Sequence, residues 1–484
     1  DEFYRVRVAD VRRLAGFSSG GRKEHFDKLL GKINQQVMRM QRRFDKAYQQ
    51  ILSDLAKNRI YLIDETQLTD TQRQFVTDYF NERILNYLDP FFIDEGAEIP
   101  PLNDASIYFA VQLRLSDNSL RFAAVSIPGN RLPRFIELPS RKGRRETVFI
   151  VLDNIIRNSL SSVFRGLLPI RSAEAYTFKI SRDAELELGE GIKQSHIDRV
   201  SHSLRRRSKA DPVRFVYDKA MPRELVATIT RKLKMGKLDS YTPGGRYHNA
   251  KDFMSFPHVG PEKFLYRPLQ ALKFRTRGHS LFEAMQQRDI LLYYPYHDFS
   301  TVVDLLGTAA IDPQVKSINI SLYRVASDSL IAHALINAVR NRKQVTAVLE
   351  LQARFDEEAN ISWARELTDA GVNVIFGVPG LKVHSKIISI VRNESGSNRY
   401  YTHIGTGNFN EKTARLYCDI SLFTAHQEIG RDVANVFDFI KHNYKRYKFK
   451  HIGVSPYTNR SLLIDAIDRE IQWARDGRKG KIQL

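Results

Sequence analysis

From residue 289 to residue 376 the sequence alternates between short apolar runs and longer amphipathic segments. Strand-like runs occupy Asp289–Tyr296, Ile318–Tyr323, Val345–Leu351 and Val372–Phe376. The segments between them, which begin at Phe299, Ser329 and Asn360, have the length and periodicity of helices. This alternation predicts an α/β domain with a mostly parallel sheet covered by helices. Ligands of such sheets bind beyond the carboxyl ends of the strands, so a site is expected there.

The first 270 residues follow other patterns. Apolar residues recur at three- and four-residue steps over residues 22–56, which predicts one long helix. Thr69 and Gln72 have the spacing of a capping box at the start of a second helix. From about Ser106 the period becomes that of strands, and the runs on either side of Asp117 predict a hairpin. A helical segment and an α+β module are therefore expected before the α/β domain.

Composition narrows the classes of function. The chain has 484 residues, 42% of them hydrophobic and 27% charged, as in soluble globular proteins with several domains. No run of about 18 apolar residues occurs, so no membrane span is expected. The formal net charge of +20 favours a polyanionic partner, which is a nucleic acid, an anionic membrane or a phosphate-rich substrate. The single cysteine, Cys418, excludes an intrachain disulfide and fits a reducing cytoplasm.

The candidate site centres on His384 and Lys386, which precede the apolar run 387–391. A second apolar run, 400–404, ends in the tetrapeptide Gly405–Asn408. An imidazole can attack phosphorus, an ammonium neutralises phosphate oxygens, and glycines let backbone N–H groups approach an anion. The pattern therefore predicts chemistry on a phosphate, with Asn408 among the phosphate-binding residues.

Two arginines follow strands of the predicted sheet. Arg324 ends the run Ile318–Tyr323, and Arg354 follows Val345–Leu351. A single arginine at a strand end is more often part of a surface ion pair, but these two share an edge with His384 and the glycine-rich loop. Guanidinium grips phosphate oxygens through two parallel hydrogen bonds, so both are predicted to bind phosphate. The sequence contains no P-loop motif, no protein-kinase motif set and no zinc-type spacing of His and Cys.

A partial internal repeat lies at the end of the chain. Residues 299–322 read as a helix, a polar turn and a strand, and residues 459–484 repeat this pattern up to the opening of the strand. A lone strand cannot close a layer, so the repeat predicts a second α/β half outside this chain.

Several long motifs carry a resemblance to a known family. They are DEFYRVRVADV at 1–11, ISLYR at 320–324, ELQARFDEEANISWA at 350–364, GLKVHSK at 380–386 and HIGTGNFNEKTARLYCD at 403–419. In these motifs the chain resembles bacterial polyphosphate kinases of the large ATP-dependent type, whose catalytic domains are phospholipase D-like. The resemblance runs nearly end to end and implies a multidomain α/β and α+β chain truncated at both ends. The implied domains are an N-terminal helical domain (1–60), an α+β middle or head domain (61–270), a phospholipase D-like catalytic α/β domain (271–451) and the start of a second such domain (452–484).

The resemblance implies a reversible transfer of the ATP γ-phosphate to the end of polyphosphate, through a phosphohistidine at His384 beside Lys386. It places Arg324 and Arg354 at a magnesium and phosphate site. Guanidinium has no lone pair for a metal, so we interpret both arginines as phosphate clamps beside Mg²⁺. The resemblance associates Tyr417 with the nucleotide.

The expected partners and location also follow from the resemblance. ATP, ADP and inorganic polyphosphate are the expected ligands, with Mg²⁺ as cofactor and no nucleic acid. A homo-oligomer, dimer or tetramer, is expected in the cytoplasm, and association with the surface of the inner membrane is compatible with the resemblance.

Two other function classes stay open. One is a phosphodiesterase or phosphatidyl transferase of the phospholipase D type, in which an Asp follows the His-x-Lys after four residues. Val391 occupies that position here, and the chain has no second His-x-Lys, which argues against this class. The other is a non-catalytic basic module that binds a polyanion, but a net charge does not explain the GLKVHSK motif.

Overall fold

The computed structural model describes residues 2–483 except 95, 97, 105, 141–142, 144, 165–167, 184–209, 211, 268, 277, 327, 352–356 and 379–380. Arg354, a predicted phosphate-binding residue, therefore lies outside the described residues. The chain forms two compact units. The described residues up to 183 and those from 210 to 266 belong to the first unit, and those from 267 onwards to the second.

Helices open the first unit. A π-helix (Tyr4–Val8) leads into α1 (Ala9–Phe17) and α2 (Gly20–Lys57). The length of α2 confirms the single long helix predicted for 22–56. Leu30 of α2 packs with Tyr4, Val8 and Ala15 in a small apolar cluster. The π-helix and α1 therefore pack against α2.

The rest of the first unit is an α+β module. Its elements are β1 (Ile60–Ile63), α3 (Asp70–Tyr79), β2 (Pro90–Phe92), β3 (Ile107–Leu115), β4 (Leu120–Ile127), β5 (Phe135–Leu138), β6 (Thr147–Val151), α4 (Leu152–Asn158), α5 (Leu160–Val163), β7 (Ile170–Arg182), β8 (Pro212–Asp218), α6 (Arg223–Lys232) and β9 (Ser240–Gly244). The described strands form two sheets, ordered β1-β6-β5 and β2-β4-β3-β7-β8-β9. The predicted capping box is present, because the Thr69 hydroxyl accepts from the Gln72 N–H at 3.3 Å and the Gln72 side chain accepts from the Thr69 N–H at 3.2 Å. The predicted hairpin is β3–β4.

The second unit alternates strands and helices, as the sequence predicts. Its elements are α7 (Leu281–Gln287), β10 (Ile290–Tyr294), α8 (Ser300–Ile311), β11 (Val315–Leu322), α9 (Leu330–Arg340), β12 (Gln344–Leu349), α10 (Glu357–Asp369), β13 (Asn373–Ile375), β14 (Ile387–Glu394), β15 (Ser397–Gly405), β16 (Asp419–Thr424), α11 (Gln427–Lys441) and α12 (Asn459–Arg475). The multidomain α/β and α+β class is thus confirmed.

The sheet of the second unit is mixed, whereas the sequence predicts a mostly parallel one. Its order is β10-β16-β15-β14-β11-β12-β13. Among the described strands, β11, β12 and β13 pair in parallel, and the remaining four pairings are antiparallel. In two of these four pairings, β14–β15 and β15–β16, the strands follow one another through loops without a crossover helix. Chains that reverse through such loops pair antiparallel.

Antiparallel pairing brings the predicted site residues to one edge of this sheet. Ile388 of β14 pairs with Ile320 of β11, and Ile387 pairs with Ile404 of β15. The beginning of β14 therefore lies beside the ends of both neighbours. His384 and Lys386 precede β14, so they lie next to the residues that follow β11 and β15.

Two features concern the end of the chain and the membrane. The repeat predicts a strand opening after α12, but residues 481–483 form no strand. No helix among the described residues is both long and apolar enough to cross a membrane.

Candidate active site

The loop that carries His384 is fixed to the end of β11 by Ser321. The Ser321 hydroxyl, which is buried, donates to the Ser385 carbonyl at 2.8 Å and accepts from the Ile387 N–H at 3.1 Å. The Ser385 hydroxyl donates in turn to Ser321 Oγ at 3.3 Å. One serine thus provides hydrogen-bond partners for the backbone groups on both sides of Lys386 and fixes the position at which β14 begins.

The same loop is tied to the end of β12. A carboxylate oxygen of Glu350, a buried residue, accepts from the Val383 N–H at 3.1 Å. The side chain of Asn360, on α10, donates to the carbonyls of Glu350 at 2.9 Å and Tyr323 at 2.8 Å. Asn360 is fully buried, so the ends of β11 and β12 are held in one position under the loop.

His384 itself is exposed at this edge, and its ring packs against Tyr323. The ring centroids lie 4.8 Å apart, with an angle of 81° between the planes. Partial burial lowers the pKa of His384, and the nearby charges of Lys386, Lys382 and Arg324 lower it further. The imidazole is therefore neutral at neutral pH, which is the form that can act as a nucleophile.

Lys386 is almost completely buried, at 5% exposure. Its ammonium donates to the His384 carbonyl at 2.5 Å and lies 5.1 Å from the centre of the Tyr323 ring. Burial lowers the pKa of Lys386 to about 8, with Asp419 opposing this shift and Arg324 adding to it. Lys386 thus carries its charge at neutral pH although it is largely removed from water.

The glycine-rich loop after β15 packs directly on two side chains. A Cβ on Gly407 would come within 2.5 Å of Asp419 Oδ2, and a Cβ on Gly405 within 2.9 Å of His403 Cε1. The Thr406 hydroxyl donates to Asp419 at 2.9 Å and accepts from the Ile420 N–H at 2.9 Å. The glycines are needed here for the close approach of Asp419 and His403, a reason that the sequence does not reveal.

His403 is a core residue under this loop. It is 1% exposed, and its Nε2 lies 2.8 Å from the Ser421 hydroxyl. Burial lowers the pKa of His403 to about 3, so the ring is neutral throughout the physiological range.

Replacing Gly407 by alanine should therefore displace Asp419. The expected loss of unfolding free energy is about 1–3 kcal/mol, the usual result of forcing a methyl group into a packed position. Chemical denaturation measures this loss. Gly307→Ala is the control, because Gly307 lies in α8, where an added methyl group would have no heavy atom of another element within 4 Å. Equal stability of Gly407→Ala and the unsubstituted chain would contradict the packing described.

The structure brings three predicted site residues together. All three lie around the Tyr323 ring. The His384 ring packs against it, and the charged groups of Lys386 and Arg324 lie 5.1 and 6.0 Å from its centre. Asn408 directly follows Gly407, and its side-chain oxygen is buried without a hydrogen-bond partner among the described residues. Tyr417 is 64% exposed, two residues before β16 begins.

The residues that sequence reasoning missed are Ser321, Tyr323, Glu350, Asn360 and Asp419. All five stand in motifs quoted above: Ser321 and Tyr323 in ISLYR, Glu350 and Asn360 in ELQARFDEEANISWA, and Asp419 at the end of HIGTGNFNEKTARLYCD. The motifs do not show which partners these side chains contact, because the contacts depend on tertiary structure.

The described residues contain no complete set of protein ligands for Mg²⁺, an ion that proteins usually hold through one or two carboxylates together with substrate phosphates. Among them, no group of three or more His, Cys, Asp or Glu could hold a metal ion. Arg324 offers only N–H donors, which suit phosphate oxygens. The guanidinium of Arg324 and the ammonium groups of Lys382 and Lys386 can stabilise negative charge at this edge.

Comparisons with known proteins agree along the whole chain. Three family models match: the polyphosphate kinase N-terminal domain over residues 1–63, the middle domain over 71–256 and C-terminal domain 1 over 280–446. The polyphosphate kinases of Vibrio parahaemolyticus and Escherichia coli K12 are each 44% identical over 490 residues, and the match covers 100% of this chain and 70% and 71% of theirs. The crystal structure of polyphosphate kinase from Porphyromonas gingivalis matches with a TM-score of 0.75 and 29% identity, covering 98% of this chain and 68% of that one.

Proposed function

Since this chain belongs to the polyphosphate kinase family, we propose that it transfers the γ-phosphoryl group of ATP to polyphosphate through a phosphohistidine at His384. One observation carries the mechanism. An exposed imidazole with a lowered pKa packs on the Tyr323 ring at one edge of the sheet, and the charged groups of Lys386, Lys382 and Arg324 lie around the same ring. A neutral nucleophile among cations suits attack on a phosphoryl group that carries negative charge.

The first half-reaction forms a bond from a nitrogen of His384 to the γ-phosphorus and breaks the bond from that phosphorus to the bridging oxygen. ADP leaves with the electron pair of the broken bond. Negative charge on the oxygens of the transferring group is stabilised by the Arg324 guanidinium and the Lys386 ammonium. The Lys386 ammonium is held by its hydrogen bond to the His384 carbonyl before substrate arrives, so it needs little reorganisation during the reaction.

In the second half-reaction a terminal oxygen of polyphosphate attacks the phosphorus and the P–N bond breaks. The electron pair returns to His384, which again becomes a neutral imidazole. The polyphosphate is one phosphate longer. Each step is reversible, so polyphosphate and ADP would regenerate ATP by the same route.

Labelled ATP tests this proposal. The chain is incubated with ATP labelled at the γ- or the α-phosphate, kept at neutral pH, and digested for mass spectrometry. We expect label from the γ position alone, lost on brief acid treatment, on the peptide that contains His384. Label from the α position would indicate a phosphodiesterase or transferase reaction, and the absence of covalent label would indicate a binding module; either result overturns the proposal.

Replacing Arg324 by lysine should slow phosphoryl transfer while leaving the fold intact. Lysine keeps the positive charge but loses the two-pronged hydrogen bonding of guanidinium, so we expect a fall of about 10-fold in rate. Rates and melting temperatures are compared for Arg324→Lys, for Arg354→Lys and for the control Arg365→Lys, an exposed arginine of α10. A loss of activity that only parallels a loss of folded protein would make Arg324 a structural residue.

A further inference from the structure

Tyr323, the residue directly after β11, has four functional side chains around its ring. The imidazole of His384 lies 4.8 Å away, the ammonium groups of Lys386 and Lys382 lie at 5.1 and 5.7 Å, and the Arg324 guanidinium lies at 6.0 Å, all measured to the centre of the Tyr323 ring. Burial lowers the pKa of His384 most, and these three cations lower it further. The reaction steps proposed for His384 do not account for the ring at their centre.

An aromatic ring holds cations in a way that a carboxylate does not. The face of the ring carries a negative electrostatic potential, which attracts ammonium and guanidinium groups out to about 6 Å from its centre. The ring has no net charge, so the cations keep theirs and can still attract phosphate oxygens. A carboxylate in the same place would pair with the cations and would raise the pKa of His384.

The backbone that carries the ring is also held at a fixed position. The carbonyl of Tyr323 accepts from the buried side chain of Asn360 at 2.8 Å. Two residues earlier, Ser321 binds the backbone on both sides of Lys386. The backbone of Tyr323 and the loop that carries His384 are therefore attached to the same two strand ends. From this position the ring contacts the imidazole and lies close to all three cations.

We propose that Tyr323 is a positioning residue for the phosphorylation of His384. Its aromatic face gathers Lys382, Lys386 and Arg324 around the imidazole without neutralising them, so that the phosphate-binding cations are in place before ATP arrives. This inference rests on the proposed function, because it concerns the step in which His384 accepts the γ-phosphoryl group.

Fluorinated phenylalanines at position 323 test the role of the ring. Each added fluorine weakens the negative potential of the aromatic face with little change in shape. The single-turnover rate of His384 phosphorylation and the dissociation constant of ATP are measured for Tyr323→Phe, for its mono-, di- and trifluorinated forms and for Tyr323→Leu. We expect Phe to retain most of the rate, the rate to fall stepwise with fluorination, and Leu to be about 10-fold slower than Phe. Melting temperatures should stay the same across the Phe series.

The same fluorinated residues at Phe178 serve as the control. Phe178 is buried in β7, where it packs in an apolar cluster of the first unit, so its fluorination should leave the rate unchanged. A rate that is flat across the fluorinated series at 323 would mean that the ring only fills space, and it would overturn the inference. A large fall in the rate of Tyr323→Phe would also overturn the inference, because it would assign the positioning role to the hydroxyl group. If the unsubstituted chain forms no phosphohistidine at all, the proposed function fails first, and the two failures are therefore distinguishable.

Discussion

Replacing His384 by alanine is expected to abolish the acid-labile phosphoryl group and to lower the transfer rate by at least about 10⁴-fold, as loss of a covalent nucleophile does. The imidazole nitrogen is the atom that bonds to phosphorus, and alanine offers no substitute. The His384 side chain is exposed, so its removal leaves no buried cavity and the melting temperature should change little. Mass spectrometry at neutral pH measures the label, and quenched-flow kinetics measures the rate.

His333→Ala is the matched control for this substitution. His333 lies on α9 of the same unit, and its side chain is 53% exposed. This variant should be phosphorylated as fully and as fast as the unsubstituted chain. Equal labelling of the His384→Ala chain would show that another residue is the phosphoryl acceptor, whatever the overall activity.

The elements around the site could be predicted from the sequence because their apolar runs have unambiguous lengths. The run that begins at Ile387 is β14, and the run that ends before the glycine-rich loop is β15, which closes at Gly405. Short apolar runs bounded by Gly and polar residues indicate buried strands without any tertiary information. The positions of His384 and Lys386 before a strand, and of Arg324 after one, were therefore predictable.

The directions of the strands were not predictable in the same way. A run of apolar residues shows that a strand is buried, but it carries no record of which neighbour it pairs with. The loop before β14 reverses the chain, so β14 lies antiparallel to β11, and Ile318 faces Ile390. His384 and Lys386 lie at the predicted edge although β14 is not parallel to β11. An antiparallel strand begins where its neighbour ends, so the residues before β14 lie beside the residues after β11.

The supporting residues of the site depend on register and on side-chain contacts. Glu350 binds the Val383 N–H across 33 residues of sequence, and Asn360 joins two strand ends. Neither interaction has a local signature. Gly407 shows a related limit: its sequence context favoured the approach of an anion, whereas the structure shows it packed against the side chain of Asp419.

Replacing Lys386 by methionine is expected to lower the rate of His384 phosphorylation by about 10²–10³-fold at neutral pH, the usual effect of removing one preorganised charge donor. Methionine has a similar length and no charge. Because burial lowers the pKa of Lys386 to about 8, the unsubstituted chain loses the same charge above that pH. The difference in rate between the two chains should therefore narrow as the pH rises from 7 to 9.

The rate of Lys386→Met is expected to fall, but its stability should not. The pKa of Lys386 is about 8 in the folded chain and near its ordinary value of 10.5 when unfolded. Between these values the unfolded chain binds more protons, so the stability of the unsubstituted chain rises with pH over that window. At pH 7 the ammonium is charged and its burial is unfavourable, so Lys386→Met should melt at an equal or higher temperature.

Lys343→Met is the matched control for both measurements. Lys343 is also buried, at 9% exposure, and its ammonium also donates to a backbone carbonyl, that of Asp312 at 2.5 Å. It precedes β12, so it lies at the edge of the sheet opposite to His384. We expect Lys343→Met to keep its rate of phosphorylation, and its melting temperature shows what the removal of a buried lysine that donates to a backbone carbonyl does to stability away from His384. If Lys386→Met instead keeps its rate and melts earlier, Lys386 supports the fold and does not act on the transferring phosphoryl group.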